Sequence, residues 1–229
     1  MTDLRVVLVG PPGSGKGTQG RRLAQRHDLA LLSTGDMLRK EVGAHAPLAS
    51  GIRSSVESGD LVPDALVVRM VLLRLEEYRR DPRGFVLDGF PRSVPQAIAL
   101  DTWAERHWCP LHVVVRLQVS RAELERRLRR RSVALRRADD AVDKIEHRME
   151  LYHATADGLA SYYRRRGLLA DVDGEGDEDE VARRVDRAVM RAAVARENLR
   201  RLSFVPQNGH PDRSGVRPRI PHQSSTTMP

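Results

Sequence analysis

The run Val6-Val7-Leu8-Val9, followed at once by Gly10-Pro11-Pro12-Gly13-Ser14-Gly15-Lys16-Gly17-Thr18, constrains the possible folds more than any other segment. The aliphatic run reads as a buried strand, and a helical pattern extends from Gly15 to Arg26. A glycine-rich turn between a strand and a helix is the context of a phosphate-binding loop. Glycines let the backbone turn tightly and aim several N–H groups into one concavity, where anionic oxygens bind. The positive end of the helix macrodipole faces the same spot. Lys16 adds a mobile full charge able to follow a phosphoryl group in transfer. Gly13, Ser14, Gly15, Lys16, Gly17 and Thr18 are therefore candidate phosphate-binding residues.

Further along, short apolar runs alternate with longer helical stretches. Ala30–Leu32, Phe85–Leu87, Val113–Leu117 and Leu168–Val172 read as strands. Ala65–Arg79, Ser120–Arg130, Val142–Arg165 and Glu180–Leu202 read as helices, as does the segment after Ser33-Thr34-Gly35-Asp36. This alternation predicts an α/β fold with a central parallel sheet covered on both faces. After about residue 200, Pro, Asn, Gly, Ser and Arg dominate, and residues 201–229 are expected to form a disordered basic tail.

The totals exclude several classes. No stretch approaches the roughly eighteen apolar residues of a membrane span, and the N-terminal residues lack the apolar core of a signal peptide. A cytoplasmic protein without a membrane partner is expected. Cys109 is the only cysteine, which excludes an internal disulfide and any multi-cysteine zinc cluster. His27, His45, His107, His112, His147 and His153 show no metal spacing. The net charge of +8 would suit a nucleic-acid partner. However, lysine occurs only at positions 16, 40 and 144, so 36 of the 39 basic residues are arginine. A small polyphosphate ligand also favours arginine, and that explanation disfavours a nucleic-acid role.

Three more segments narrow the family. Ser33-Thr34-Gly35-Asp36-Met37-Leu38-Arg39, Gly59-Asp60-Leu61-Val62-Pro63 and Gly84-Phe85-Val86-Leu87-Asp88-Gly89-Phe90-Pro91-Arg92 occur in that order, with Gln96 four residues later. With the loop, in which Gly17 separates Lys16 from Thr18, they resemble the adenylate kinase family, the short-lid nucleoside monophosphate kinases. The similarity runs from about Val6 to Val181. It implies a P-loop three-layer fold over residues 1–200, with an AMP-binding helical insertion at 33–62 and a short lid at 130–140.

The chemistry of each position fits that resemblance. Arg39 and Arg92 can grip an acceptor phosphate through paired donors. Gln96 offers a donor and an acceptor to the edge of adenine. The resemblance gives Thr34 a base contact, lines the base pocket near Asp60, Leu61 and Val62, and puts Gly89, Phe90 and Pro91 at the acceptor site. Thr34 and Asp36 would equally cap the following helix, as would Ser33. The resemblance also implies a Mg²⁺ held by nucleotide oxygens and waters with no direct protein ligand, and Asp88, at a strand's carboxyl end, is the candidate to orient those waters.

Arg127 and Arg131 lie four apart and share a helical face. By resemblance, Arg127 lies over the donor adenine and Arg131 meets donor phosphates. Arg137 and Arg148 would bridge toward the acceptor phosphate. Gly176 would pass near the donor base, though a plain turn explains it as well. Arg129, Arg130 and Arg136 match no role and read as surface residues. Ser132-Val133-Ala134-Leu135 lacks the glycines common in short lids, Gly158 stands where proline is frequent, and Thr155 is shifted by one position. Phosphoryl transfer has a highly charged transition state, so positioning and electrostatics carry the catalysis. The catalytic set is then Lys16, Asp88, Arg92, Arg131, Arg137 and Arg148. The implied reaction is reversible Mg-dependent transfer from ATP to AMP, giving two ADP, in a monomer without zinc. The alternatives are a UMP/CMP kinase, or a nucleotide- or nucleic-acid-binding protein with decayed kinase activity.

Overall fold

In a computed structural model, residues 3–43, 62–78, 83–135 and 142–203 are described. Five strands form one parallel sheet: β1 (Leu4–Val9), β2 (Ala30–Ser33), β3 (Gly84–Asp88), β4 (Val113–Gln118) and β5 (Leu169–Asp173), in the order β2-β3-β1-β4-β5. Seven helices are found among the described residues. They are α1 (Lys16–His27), α2 (Thr34–Gly43), α3 (Asp64–Tyr78), α4 (Val94–Arg106), α5 (Arg121–Leu135), α6 (Val142–Arg165) and α7 (Glu178–Ser203).

Every residue of β1 is buried, because the strand lies in the middle of the sheet and contributes side chains to both faces. Val7 and Val9 face a core shared with Val71, Leu100, Trp103 and Tyr163. Leu4, Val6 and Leu8 face a second core shared with Leu23, Val181, Val185 and Val189. α3, α4 and α6 thus cover one face of the sheet, and α1 and α7 the other. This period-two division is what a doubly covered parallel sheet requires.

The helix ends follow from local chemistry. α1 stops where Asp28 turns into the left-handed region and its successor Leu29 donates back to the Ala24 carbonyl at 2.9 Å. Ser93 caps α4 by accepting from the Gln96 N–H. Asp177 caps α7 by accepting from the Glu180 N–H at 2.7 Å, and Glu178, Asp179 and Glu180 favour the positive end of that helix. Asp101 on α4 is buried between Tyr162, which donates to it at 2.9 Å, and Arg166 at 3.0 Å, so it ties α4 to the end of α6.

The predicted architecture holds, with elements shifted at their ends by a few residues. One difference bears on the site: α5 continues through Leu135, so residues 130–135 of the span read as a lid are helical. Residues 136–140, most of the 33–62 insertion and the tail after 203 lie outside the described residues.

Gly84 opens β3 opposite Leu4 at a φ of +83°. A Cβ there would meet the Leu4 nitrogen at 2.7 Å and its carbonyl oxygen more closely still. Gly84→Ala should therefore destabilise the protein by about 2–4 kcal/mol, through backbone strain as well as the clash. Urea unfolding would register this as a lower midpoint with an unchanged slope.

Candidate functional site

Parallel strands bring the carboxyl ends of β1, β2 and β3 to one edge, and a cleft of about 760 Å³ opens there. Gly10, Gly13 and Gly15 take φ values of +149°, +81° and +94°, which carry the chain around the loop and into α1. The Lys16 ammonium folds back over the loop. It donates to the Gly10 and Pro11 carbonyls at 2.8 Å each and to Ser14 Oγ at 3.4 Å. A Cβ on Gly13 would meet Leu128 at 2.8 Å, so this glycine lets α5 pack directly against the loop. A Cβ on Gly17 would touch Asp88 Oδ2 at 3.4 Å.

Lys16, Thr18, Arg39, Asp88, Gly89, Pro91, Arg92, Arg127, Arg148 and Gly176 all line this cleft. Arg39 is held by Asp36 at 2.5 Å, and Ser33 accepts from the Asp36 N–H at 3.4 Å, so Ser33 caps α2. Arg92 anchors to the Gly89 carbonyl through Nε at 2.8 Å. Although Arg92 as a residue is exposed, its guanidinium is partly desolvated in the cleft. That desolvation lowers its pKa first, and the cations Arg148 and Arg39 lower it further, against an opposite pull from Asp88. Arg39 and Arg148 thus lie close enough to Arg92 for their charges to act on it, and such a convergence of cations attracts a multiply charged anion.

Arg127 is a strap as much as a ligand candidate. It donates to Glu123 at 2.6 Å, to the Gly174 carbonyl at 2.9 Å and to the Ser14 carbonyl at 3.5 Å. It thereby joins the phosphate loop to the turn after β5, where Gly176 takes a φ of +96°. Gln19 reinforces the link by donating to the Glu178 carbonyl at 3.1 Å.

Other predicted residues sit differently. Thr34 is buried and its hydroxyl donates to the Asp88 carbonyl at 3.1 Å, which pins the start of α2 to the end of β3. Gln96 is buried, with its amide engaged by Asp64 and by the Arg92 N–H. Val62 and Phe90 belong to the core on the sheet face covered by α3, α4 and α6. Asp60, Leu61 and Arg137 lie outside the described residues; the backbone of Arg131 lies in α5, but its side chain is not among those described. Arg130, read as a surface residue, lines the cleft, as do Glu123, Arg126, Tyr152 and Thr155. The three- and four-residue spacing of Glu123 to Arg126 and Arg127 was the available signal for that cluster. A second, shallower groove of about 750 Å³ between Arg26 and the 183–198 stretch of α7 holds none of the predicted residues. No group of His, Cys, Asp and Glu among the described residues is arranged to hold a metal ion. No described helix is long and apolar enough to cross a membrane.

The fold and loop define a phosphate-binding α/β protein of the P-loop class. Residues 8–168 match the family model described as adenylate kinase. The chain is 40% identical over 197 residues to an adenylate kinase of Clavibacter michiganensis, covering 86% of this chain and 95% of that protein. It is 40% identical over 195 residues to one of Micrococcus luteus, covering 85% and 95%. With an adenylate kinase of Xanthomonas euvesicatoria the identity is 42% over 188 residues, or 82% of this chain and the whole of that protein. The chain belongs to the adenylate kinase family.

Arg126 and then Arg127 hold the Glu123 carboxyl down at about 2, below its ordinary 4.5. A depressed carboxyl stabilises the fold fully above its unfolded pKa and loses that effect as pH falls through the folded one. Glu123→Gln should thus lower the urea midpoint at pH 7, and the gap from the parent should close between pH 4.5 and pH 2. A gap of constant size would show that the ion pairs contribute nothing.

Proposed function

We infer that this chain catalyses reversible phosphoryl transfer from ATP to AMP, giving two ADP. The carrying observation is one cleft that joins a glycine-rich phosphate loop and Lys16 to the converging Arg39, Arg92 and Arg148. Membership of the adenylate kinase family supports the same reading.

In this reading the loop amides, Lys16 and Thr18 hold the donor phosphates. Arg127 and the Gly176 turn border the donor base, and Arg131 and Arg137 join from the lid at 130–140. Arg39 and Arg92 orient the acceptor phosphate, and Arg148 stabilises charge between the two nucleotides. The acceptor base is held by the 33–62 insertion, with Thr34, Asp60, Leu61, Val62 and Gln96 around it. Gly89, Phe90 and Pro91 shape the turn that presents Arg92. No general base is required, because the acceptor is already an anionic oxygen. Water must be excluded to prevent hydrolysis, and closure of the lid does this.

Mg²⁺ enters with ATP. The Asp88 carboxylate beside Gly17, with the Thr18 hydroxyl on the same cleft wall, suits an ion that keeps several waters and binds mainly through nucleotide oxygens. When bound, the ion neutralises phosphate charge, and Asp88 orients its waters. A cytoplasmic, monomeric enzyme belongs to the same reading.

Arg92→Ala and Arg148→Ala should each lower turnover by roughly two to four powers of ten, with little change in thermal stability. A coupled assay with ATP against AMP, GMP, CMP and UMP checks the acceptor. Preference for UMP or CMP would replace the AMP assignment, and full turnover in either variant would overturn the site.

A further inference from the structure

Asp64 opens α3; like Gln96 and Ser93 it lies behind the residues that line the cleft, and its carboxylate holds both of those residues beside Arg92. One oxygen accepts from Gln96 Nε2 at 2.6 Å, and the other accepts from Ser93 Oγ at 2.6 Å. On its other side Gln96 Oε1 accepts from the Arg92 N–H at 2.7 Å. The orientation of the Gln96 amide is therefore a chemical necessity. A carboxylate only accepts and a backbone N–H only donates, so a flipped amide would face an acceptor with its oxygen and a donor with its NH₂.

Each grip uses half of the amide's capacity. One N–H of Gln96 and one lone pair of its oxygen remain. On the reading that Gln96 faces the acceptor base, these present to it a donor and an acceptor in fixed order. The N1 and N6 edge of adenine offers the complementary pair, an acceptor and a donor. Hypoxanthine and guanine carry N1–H and O6 instead, which reverses both. To meet them Gln96 would have to turn over and break two short hydrogen bonds. Gln96 is only 3% exposed, so water could not replace those bonds.

We propose that Asp64 is a specificity-determining positioning residue, which locks the Gln96 amide in the orientation that accepts an adenine edge and refuses a reversed one. The lock rests on the reading of Gln96 as the side chain facing the acceptor base. It acts on hydrogen-bond polarity alone. Uracil, with N3–H and O4, is refused on the same ground as guanine. Cytosine shares the polarity of adenine, so its exclusion falls to other features.

IMP is the clean probe, since it differs from AMP at this edge alone. Steady-state kinetics of the full chain with AMP and with IMP should be compared for Asp64→Ala, Asp64→Asn and Gln96→Ala. Asp64→Ala should lower the AMP-to-IMP ratio of kcat/KM by about 10- to 100-fold, chiefly through KM. Asp64→Asn should fall between parent and Asp64→Ala, because its carbonyl still accepts from Gln96 while its NH₂ can serve a flipped one. An unchanged ratio in the Asp64 variants, with both substrates weakened alike, would reduce Asp64 to a structural role. Gln96→Ala separates the two failures. A ratio that collapses there but not at Asp64 sinks the lock alone; a ratio that survives there shows that Gln96 does not face the base. Should Asp64→Ala melt below the assay temperature, Asp64→Asn decides by the same criterion.

Discussion

The site depends on the parallel pairing of β1 between β3 and β4. That register places Leu8 beside Asp88 and Val9 beside Arg116, so the chain leaves β1 at the same level as its neighbours. The loop amides can then gather around one point while Asp88 stands at the adjoining strand end. Both require that β1 be immobile, and its burial on both faces supplies this. The burial of these six residues, five of them aliphatic, thus sets the geometry of the polar groups that follow them.

Above that frame, charge is distributed unevenly. Among the described residues, several arginines away from the cleft have acidic partners, as Arg22 has with Glu178 and Asp179, and Arg116 with Asp171. In the cleft, Arg92 is pressed by Arg148 and Arg39 and has only Asp88 in opposition. The composition alone cannot distinguish these situations. An arginine-rich chain of +8 becomes informative only when the fold shows which cations are brought together.

The legibility of the sequence followed interaction range. The strands, the phosphate loop and the alternation with helices were readable, because each depends on neighbours within about ten residues. Ser33 as a cap belongs to the same class. The engagement of Gln96 was not readable, since Asp64 lies 32 residues away and nothing local pairs them. Arg130 reads as a surface residue in the sequence because no motif position matches it; the packing of α5 on the loop brings it to the cleft. The extension of α5 to Leu135 was missed for a different reason. The absence of glycine from Ser132 to Leu135 was taken as a departure from a lid loop, whereas it also favours continuation of the helix.

The position of Lys16 has a consequence for which anions the loop can hold. Its ammonium rests on two main-chain carbonyls and a hydroxyl, so it is already solvated by the loop that it serves. A ligand must outcompete these neutral acceptors before the lysine contributes to binding. An anionic oxygen makes a stronger, charge-assisted bond to the ammonium than a peptide oxygen does, and a polyphosphate tail offers several such oxygens at once. The loop thereby favours ligands rich in anionic oxygen, independent of the fit of the base or sugar.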